Sequence, residues 1–249
     1  MKKWIFSSLL VLLFASIAFA QDKQRSFVIA GYRNNEFKTG GTAYFVEPTA
    51  NCDPCILTAG HVYEPNTTFE LSFDVDLYIR KNTLSLTFLA QSDKADIALF
   101  TADKVAVDKL NPYIWKISET GLRDGQSLIQ YTSIWELNPQ EFKYYTYSDN
   151  TVKGSYSKGN ADYSWINKAL NVIWNTLFFH TCNSLPGSSG SPIGNNFGEL
   201  EGMEVGNIQR TIFLGVPKED IKAFINSPLP TSQRKAVKPH KYLPVISAQ

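Results

Sequence analysis

The chain has little of several features that would point to a particular class of protein. Its three cysteines are too few for a disulfide scaffold. Its 15 glycines and 12 prolines are ordinary for 249 residues, which excludes a collagen-like or wholly disordered chain. The formal net charge is only +1, so nucleic acid is not expected as the main partner. What remains is a globular composition, 43% hydrophobic and 13% aromatic.

Only one long hydrophobic run is present, and it lies at the N-terminus. Two lysines precede apolar residues 4–15, and residues 18–20 (AFA) place small side chains at both positions that determine cleavage. This pattern predicts a secretory signal peptide, residues 1–20, cut after Ala20. The alternative, an uncleaved anchor, would need a span of about 20 apolar residues. We therefore expect a secreted or periplasmic protein with no membrane association in the mature form.

The rest of the chain is rich in short strand-like segments. Apolar runs at 27–30 and 42–46 are separated by Gly40 and Gly41, and residues 69–77 alternate as in a strand with one buried face. A break at Lys81 predicts a hairpin. Further strand-like segments are 84–88, 97–100, 127–131, 144–147, 177–180 and 211–214. Residues 101–118 are mixed and are interpreted as a link between two halves.

One helix and a tail are expected at the C-terminal end. Pro217 precedes two acidic residues and an apolar face formed by Ile221, Phe224 and Ile225, which is typical of an amphipathic helix. Residues 227–249 are rich in proline and basic residues and hold no acid, so we interpret them as a solvated tail.

Two segments and one aspartate carry residues suited to nucleophilic catalysis. Residues 56–61 (ILTAGH) read as a strand that ends at His61, one of only three histidines, and residues 187–192 (GSSGSP) read as a glycine-flanked serine turn. Asp96 lies between them in sequence, at the start of an apolar strand. A serine hydroxyl needs a base within hydrogen-bond reach, and a histidine oriented by a carboxylate provides one at neutral pH.

Each of these features alone has a simpler interpretation. The histidine could simply end a strand, Asp96 could cap one, and the serine turn could be a linker. Asp93 is a nearby alternative to Asp96 as the acidic partner. Their joint occurrence favours the catalytic interpretation. His180 and His240 are interpreted as a strand residue near the site and a tail residue.

The three motifs, in this order, resemble those of the chymotrypsin-like (trypsin-like) serine proteases. Residues 58–61 (TAGH), 96–99 (DIAL) and 187–192 (GSSGSP) carry the resemblance, which looks closest to the bacterial branch that includes the glutamyl endopeptidases. Residues 213–217 (FLGVP) and the helix after them resemble the end of that branch, so the resemblance covers residues 40–225.

The resemblance implies an all-β fold of two antiparallel six-stranded β-barrels packed together, with a C-terminal helix and the site between the barrels. The N-terminal barrel, residues 21–110, would carry His61 and Asp96. The C-terminal barrel and helix, residues 111–226, would carry Ser189, and the tail would follow from 227 to 249.

The resemblance also implies roles for individual residues. His61 would be the general base, Asp96 its orienting carboxylate and Ser189 the nucleophile, with an oxyanion hole formed by the backbone N–H groups of Gly187 and Ser189. Asn183 and Glu204 would line the substrate pocket, and Glu204 stands about where glutamyl endopeptidases have a histidine. No metal and no organic cofactor is expected, the substrate would be a protein or peptide, and we expect a monomer.

Two other functions stay open on the same fold: a non-catalytic protease-like binding protein and an esterase. An α/β-hydrolase is disfavoured because its catalytic residues follow the chain order serine, acid, histidine. The only histidine after Ser189 is His240, which lies in the tail.

The chain departs from the animal members of the family at two points. Val62 follows the histidine where they have a cysteine, and Ser188 stands where they have an aspartate that pairs with a new N-terminus. The oxyanion hole must therefore be held by the turn itself, residues 187–190, and its neighbours. We favour a Cys52–Cys55 disulfide with Cys182 free, while a bridge from either to Cys182 stays open.

Overall fold

The computed structural model describes residues 23–74, 80–92, 94–138, 143–157, 177–208 and 212–228. The predicted signal peptide, and the predicted tail from residue 229 onward, lie outside these ranges. Within the ranges, no helix has the length and hydropathy needed to cross a membrane.

Six antiparallel strands close the first barrel. In chain order they are β1 Phe27–Arg33, β2 Glu36–Val46, β3 Cys55–Ala59, β4 Thr68–Ser72, β5 Thr83–Gln91 and β6 Ile97–Thr101. The hydrogen-bonded order β1-β4-β5-β6-β3-β2 returns to β1 because β1 also pairs with β2. The interior is filled by large apolar side chains, among which Phe27, Phe45 and Phe100 are completely buried.

The glycine pair of β2 corrects one expectation from the sequence. Gly40 and Gly41 do not separate two strands; both lie inside β2 and pair with β1. A glycine in a strand often marks a close approach of another backbone. Here a Cβ atom on Gly41 would lie 2.5 Å from the carbonyl oxygen of Ser189. The strand therefore passes directly beside the serine turn.

Strand β4 is buried on both faces, although its alternating pattern predicts one buried face. The polar positions Glu70 and Ser72 are only 6% and 3% exposed. Glu70 accepts two hydrogen bonds of 3.0 Å from Arg80, so its buried carboxylate is paired. The predicted hairpin at Lys81 is confirmed, since β4 pairs with β5 across it.

The connection between the barrels contains a short helix and a short strand, α1 Lys104–Leu110 and β7 Ile114–Trp115. Asp103 caps α1 by accepting a backbone N–H, and Asn111 ends it in the left-handed conformation, with φ 49°. The helix has only seven residues, too few for a hydrophobic period to stand out in the sequence.

The second barrel consists of β8 Ser127–Asn138, β9 Lys143–Ser157, β10 Phe178–His180, β11 Pro192–Gly194, β12 Leu200–Ile208 and β13 Ile212–Pro217. It closes in the order β10-β13-β12-β11-β8-β9, and all neighbours are antiparallel. The predicted all-β architecture of two six-stranded antiparallel barrels is confirmed.

The predicted C-terminal helix is present as α2 Lys218–Asn226, directly after Pro217. Its apolar face is buried against the barrels through Ile221 and Ile225. Lys218 is buried as well, and its ammonium lies 2.6 Å from the carboxylate of Glu201 on β12. This buried ion pair joins the helix to the second barrel.

The cysteines adopt the arrangement that the sequence favours. Cys52 and Cys55 form a disulfide, and Cys182 is free and buried. Burial, together with the nearby negative charge of Glu204, raises the pKa of the Cys182 thiol to about 12. This cysteine therefore remains a neutral thiol at physiological pH.

Candidate active site

His61 lies at the point where a fully buried strand leaves the first barrel. Every residue of β3 is buried, and residues 60–62 follow it as one turn of 3-10 helix. Gly60 makes room for the acidic partner of the histidine, because a Cβ atom there would approach the Oδ1 atom of Asp96 to 2.9 Å. The histidine side chain is 25% exposed, so its ring can be reached from solvent.

Asp96 holds His61 through two hydrogen bonds. It directly precedes β6, the neighbour of β3, and its side chain is 5% exposed. Its Oδ2 atom lies 2.6 Å from Nδ1 of His61, and its Oδ1 atom accepts the backbone N–H of the same residue at 2.7 Å. Because an ionised carboxylate only accepts, Nδ1 carries the ring proton and Nε2 is the basic nitrogen. Asp93, the competing aspartate, lies outside the described residues.

The charges around His61 shift its basicity. Burial of the ring lowers the pKa of His61, but attraction to Asp96, the hydrogen bond between them and the charge of Glu204 outweigh this effect. The net result is a pKa above the ordinary histidine value. Such a base binds a proton more strongly than free imidazole.

The serine turn, residues 187–192, connects β10 with β11 and is held by the first barrel. The backbone N–H of Thr42 on β2 donates to the carbonyl of Ser189 at 2.8 Å, and its hydroxyl donates to the carbonyl of Gly187 at 2.8 Å. Gly190 has a φ of 91°, and a side chain there would collide with the Thr42 carbonyl and the Thr58 hydroxyl. The turn therefore packs against the end of β3, which leads to His61.

Ser189 is half-buried in this turn. In the part of the chain that the structure describes, no hydrogen bond joins its hydroxyl to His61. Catalytic hydrogen bonds are often long in a free enzyme and shorten only when substrate binds. The backbone N–H groups of Gly187 and Ser189 donate to no described residue.

The two residues expected to line the substrate pocket differ sharply in exposure. Asn183 is exposed, whereas Glu204 is completely buried. Glu204 does not point to solvent: its Oε1 atom accepts a 2.5 Å hydrogen bond from Ser184, and its Oε2 atom lies 2.5 Å from Nε2 of His180. His180, on β10, is thus a buried neighbour of Glu204. This agrees with its interpretation as a strand residue near the site.

Sequence reasoning missed two residues that shape the site. Thr42 crosses between the barrels to the serine turn, and Ser184 links Glu204 to that turn through Ser188, with 2.9 Å between the two hydroxyl oxygens. The glycine pair before Thr42 is the one local signal of a close approach in β2. Nothing local marks Ser184, because its partner lies 20 residues away.

No cluster of metal-ligating side chains is found within the described ranges, where no three His, Cys, Asp or Glu residues lie together in a suitable group. The Cys-x-x-Cys segment is a disulfide, and His61 is hydrogen-bonded to Asp96.

The overall structure is similar to those of bacterial serine proteases. A serine endoprotease from Yersinia pestis matches over 80% of this chain, with a TM-score of 0.54 and 15% identity. This chain spans only 61% of that protein. The active form of a protease from M. tuberculosis matches over 86% of each chain, with a TM-score of 0.56 and 12% identity. Its inactive form gives a TM-score of 0.53 and 11% identity over 82% of this chain and 88% of that one.

No protein-family model and no curated protein matches the sequence. At 11–15% identity, the structural matches establish the fold. The particular likeness to glutamyl endopeptidases stays a prediction. The chain therefore has the double six-stranded barrel fold found in trypsin-like serine proteases.

Proposed function

We propose that this protein is an exported serine endopeptidase that hydrolyses peptide bonds through His61, Asp96 and Ser189. One observation carries the proposal: Asp96 binds both the ring and the backbone of His61, beside a glycine-bounded serine turn. The structural neighbours are named as proteases, which supports a peptide or protein substrate. The N-terminal hydrophobic run supports export, and we take the mature enzyme to be a monomer.

The proposed reaction proceeds by acyl transfer. Ser189 Oγ attacks the substrate carbonyl while Nε2 of His61 takes the hydroxyl proton. The resulting imidazolium is stabilised by Asp96, and the N–H groups of Gly187 and Ser189 bind the oxyanion. His61 then gives its proton to the leaving amine, which leaves an acyl-enzyme. Water, activated by the same histidine, hydrolyses the ester and restores Ser189.

Labelling with a fluorophosphonate tests this proposal, because such probes react with an activated serine. Purified protein beginning at Gln21 should be modified stoichiometrically at Ser189, as read by mass spectrometry of the peptide that contains the turn. Heat-denatured protein is the control and should not react. Absence of labelling in the folded protein contradicts the proposal.

The two alternatives on the same fold separate by substrate. An endopeptidase should cleave casein and a simple ester, an esterase should cleave the ester alone, and a binding protein should cleave neither. The binding-protein alternative would normally lack one of the three proposed catalytic residues, and this chain has all three.

We expect cleavage after basic or polar residues rather than after acidic ones. A carboxylate at Glu204, behind the proposed pocket, repels a second negative charge. In a peptide library with matched Glu/Gln and Asp/Asn pairs, the amide member of each pair should be cleaved at least about tenfold faster. A profile dominated by cleavage after glutamate contradicts the charge argument.

A further inference from the structure

The backbone of Glu204 forms two hydrogen bonds with the serine turn. Its carbonyl accepts the N–H of Gly190 at 2.7 Å, and its N–H donates to the carbonyl of Ser191 at 2.9 Å. These two bonds join β12 to the residues that immediately follow Ser189. Any shift of Glu204 along its strand would therefore move the turn.

The side chain of Glu204 reaches the other end of the same turn. Ser184 donates its hydroxyl proton to the Oε1 atom of Glu204, and its oxygen lies 2.9 Å from the hydroxyl oxygen of Ser188. Ser188 donates to the carbonyl of Leu185 through its hydroxyl, at 2.7 Å, and through its N–H, at 3.0 Å. The carboxylate thus holds the Ser184 hydroxyl against Ser188, which in turn is anchored to the carbonyl of Leu185.

A buried carboxylate is costly unless it is well paired. Glu204 is completely buried and has no lysine or arginine partner within the described ranges. Its Oε2 atom lies 2.5 Å from Nε2 of His180, but the two atoms are not aligned for a hydrogen bond. By contrast Glu201, three residues earlier on β12, is paired with Lys218 and accepts from Asn195.

We propose that Glu204 is a positioning residue that fixes the serine turn in its reactive shape, an inference that rests on the proposed protease function. Its backbone holds Gly190 and Ser191, and its carboxylate holds Ser184, whose hydroxyl contacts that of Ser188. Between these anchors lie the N–H groups of Gly187 and Ser189, which donate to no described residue. The turn is therefore supported by contacts from the second barrel. Such support is needed because Ser188 carries no charge and cannot be held by an ion pair.

The test replaces the charge while keeping the shape. Glu204→Gln should slow fluorophosphonate labelling of Ser189 and lower kcat by about a hundredfold with little change in KM, since a loosened turn disorders the oxyanion donors. Ser184→Ala, which breaks the link to Ser188 and leaves Glu204 in place, should lower both by about tenfold. Glu201→Gln is the control from the same strand: it leaves the buried Lys218 without its carboxylate and lowers stability, but labelling per folded molecule should stay within about twofold of wild type.

A second measurement does not depend on catalysis. The N–H groups of Ser188, Gly190 and Ser191 are hydrogen-bonded within or beside the turn. Their hydrogen exchange, followed by mass spectrometry of a peptide covering 184–191, should be at least about tenfold faster in Glu204→Gln and unchanged in Glu201→Gln. If Glu204→Gln does not fold, Ser184→Ala provides the test, and hydrogen exchange of the same peptide should be faster than in wild type.

Each outcome bears on one proposal or the other. Equal labelling and exchange in Glu204→Gln and wild type would overturn the positioning role and leave the protease proposal intact. So would a change in KM or cleavage preference alone, which would make Glu204 a direct substrate contact, or an equal loss of labelling in Glu201→Gln. If exchange is faster in Glu204→Gln but the wild-type protein is never labelled, the result would support the positioning of the turn and contradict the protease function.

Discussion

Replacing Ser189 with alanine will lower kcat by about a millionfold, and His61→Ala will cost about as much, since the two act as a unit. In the proposed mechanism the serine supplies the attacking oxygen and the histidine removes its proton, so neither retains its function without the other. The double variant should be no worse than either single one. Hydrolysis of a simple ester, corrected for folded protein by circular dichroism, measures all three.

Ser191→Ala is a matched control for these variants. Ser191 lies two residues beyond the proposed nucleophile, is completely buried, and has a hydroxyl without a hydrogen-bond partner in the described part of the chain. Its removal should change activity by less than about twofold. A Ser189→Ala or His61→Ala variant that keeps more than about a tenth of wild-type activity refutes the assignment.

Asp96→Asn should lower kcat by about ten-thousandfold, through the wrong histidine tautomer. The backbone N–H of His61 donates to Oδ1 at 2.7 Å, and an asparagine oxygen would keep that bond. Its amide nitrogen would then occupy the Oδ2 position, 2.6 Å from Nδ1, and donate to it. Nδ1 would have to accept, the proton would move to Nε2, and the base would be lost.

The same variant has a pH signature. Because the charge of Asp96 helps raise the pKa of His61, the rate of the wild-type enzyme should fall as pH drops through a pKa above about 6.5. Removing that charge lowers the pKa, so the residual activity of Asp96→Asn should persist to a lower pH. Profiles of kcat/KM from pH 5 to 9 test both statements, and a flat wild-type profile contradicts a histidine base.

Asp103→Asn controls for the loss of an aspartate charge. Asp103 caps α1 by accepting a backbone N–H, a role that asparagine fills equally well. Activity and its pH dependence should be unchanged. A comparable loss in this variant would mean that the effect of Asp96→Asn is not specific to the site.

Local patterns in the sequence predicted most of the elements that carry the site. The strand before His61, the apolar strand after Asp96 and the glycine-flanked turn around Ser189 each depend on neighbours within a few residues. The closed barrels came from the family resemblance instead, because strand order depends on pairings between distant segments. The helix α1 escaped prediction since its signals, a capping Asp103 and a left-handed Asn111, are short and common.

The sequence by itself determined the order of His61, Asp96 and Ser189 and the small residues around them, because backbone turns and strand periods are local properties. Only the tertiary structure decided what surrounds them. Barrel closure brought Thr42 to the carbonyl of Gly187 across 145 residues of chain, and it turned Glu204 inward to Ser184. A closed sheet buries positions that an open one would expose, so the burial of a charged side chain follows from how distant strands pack.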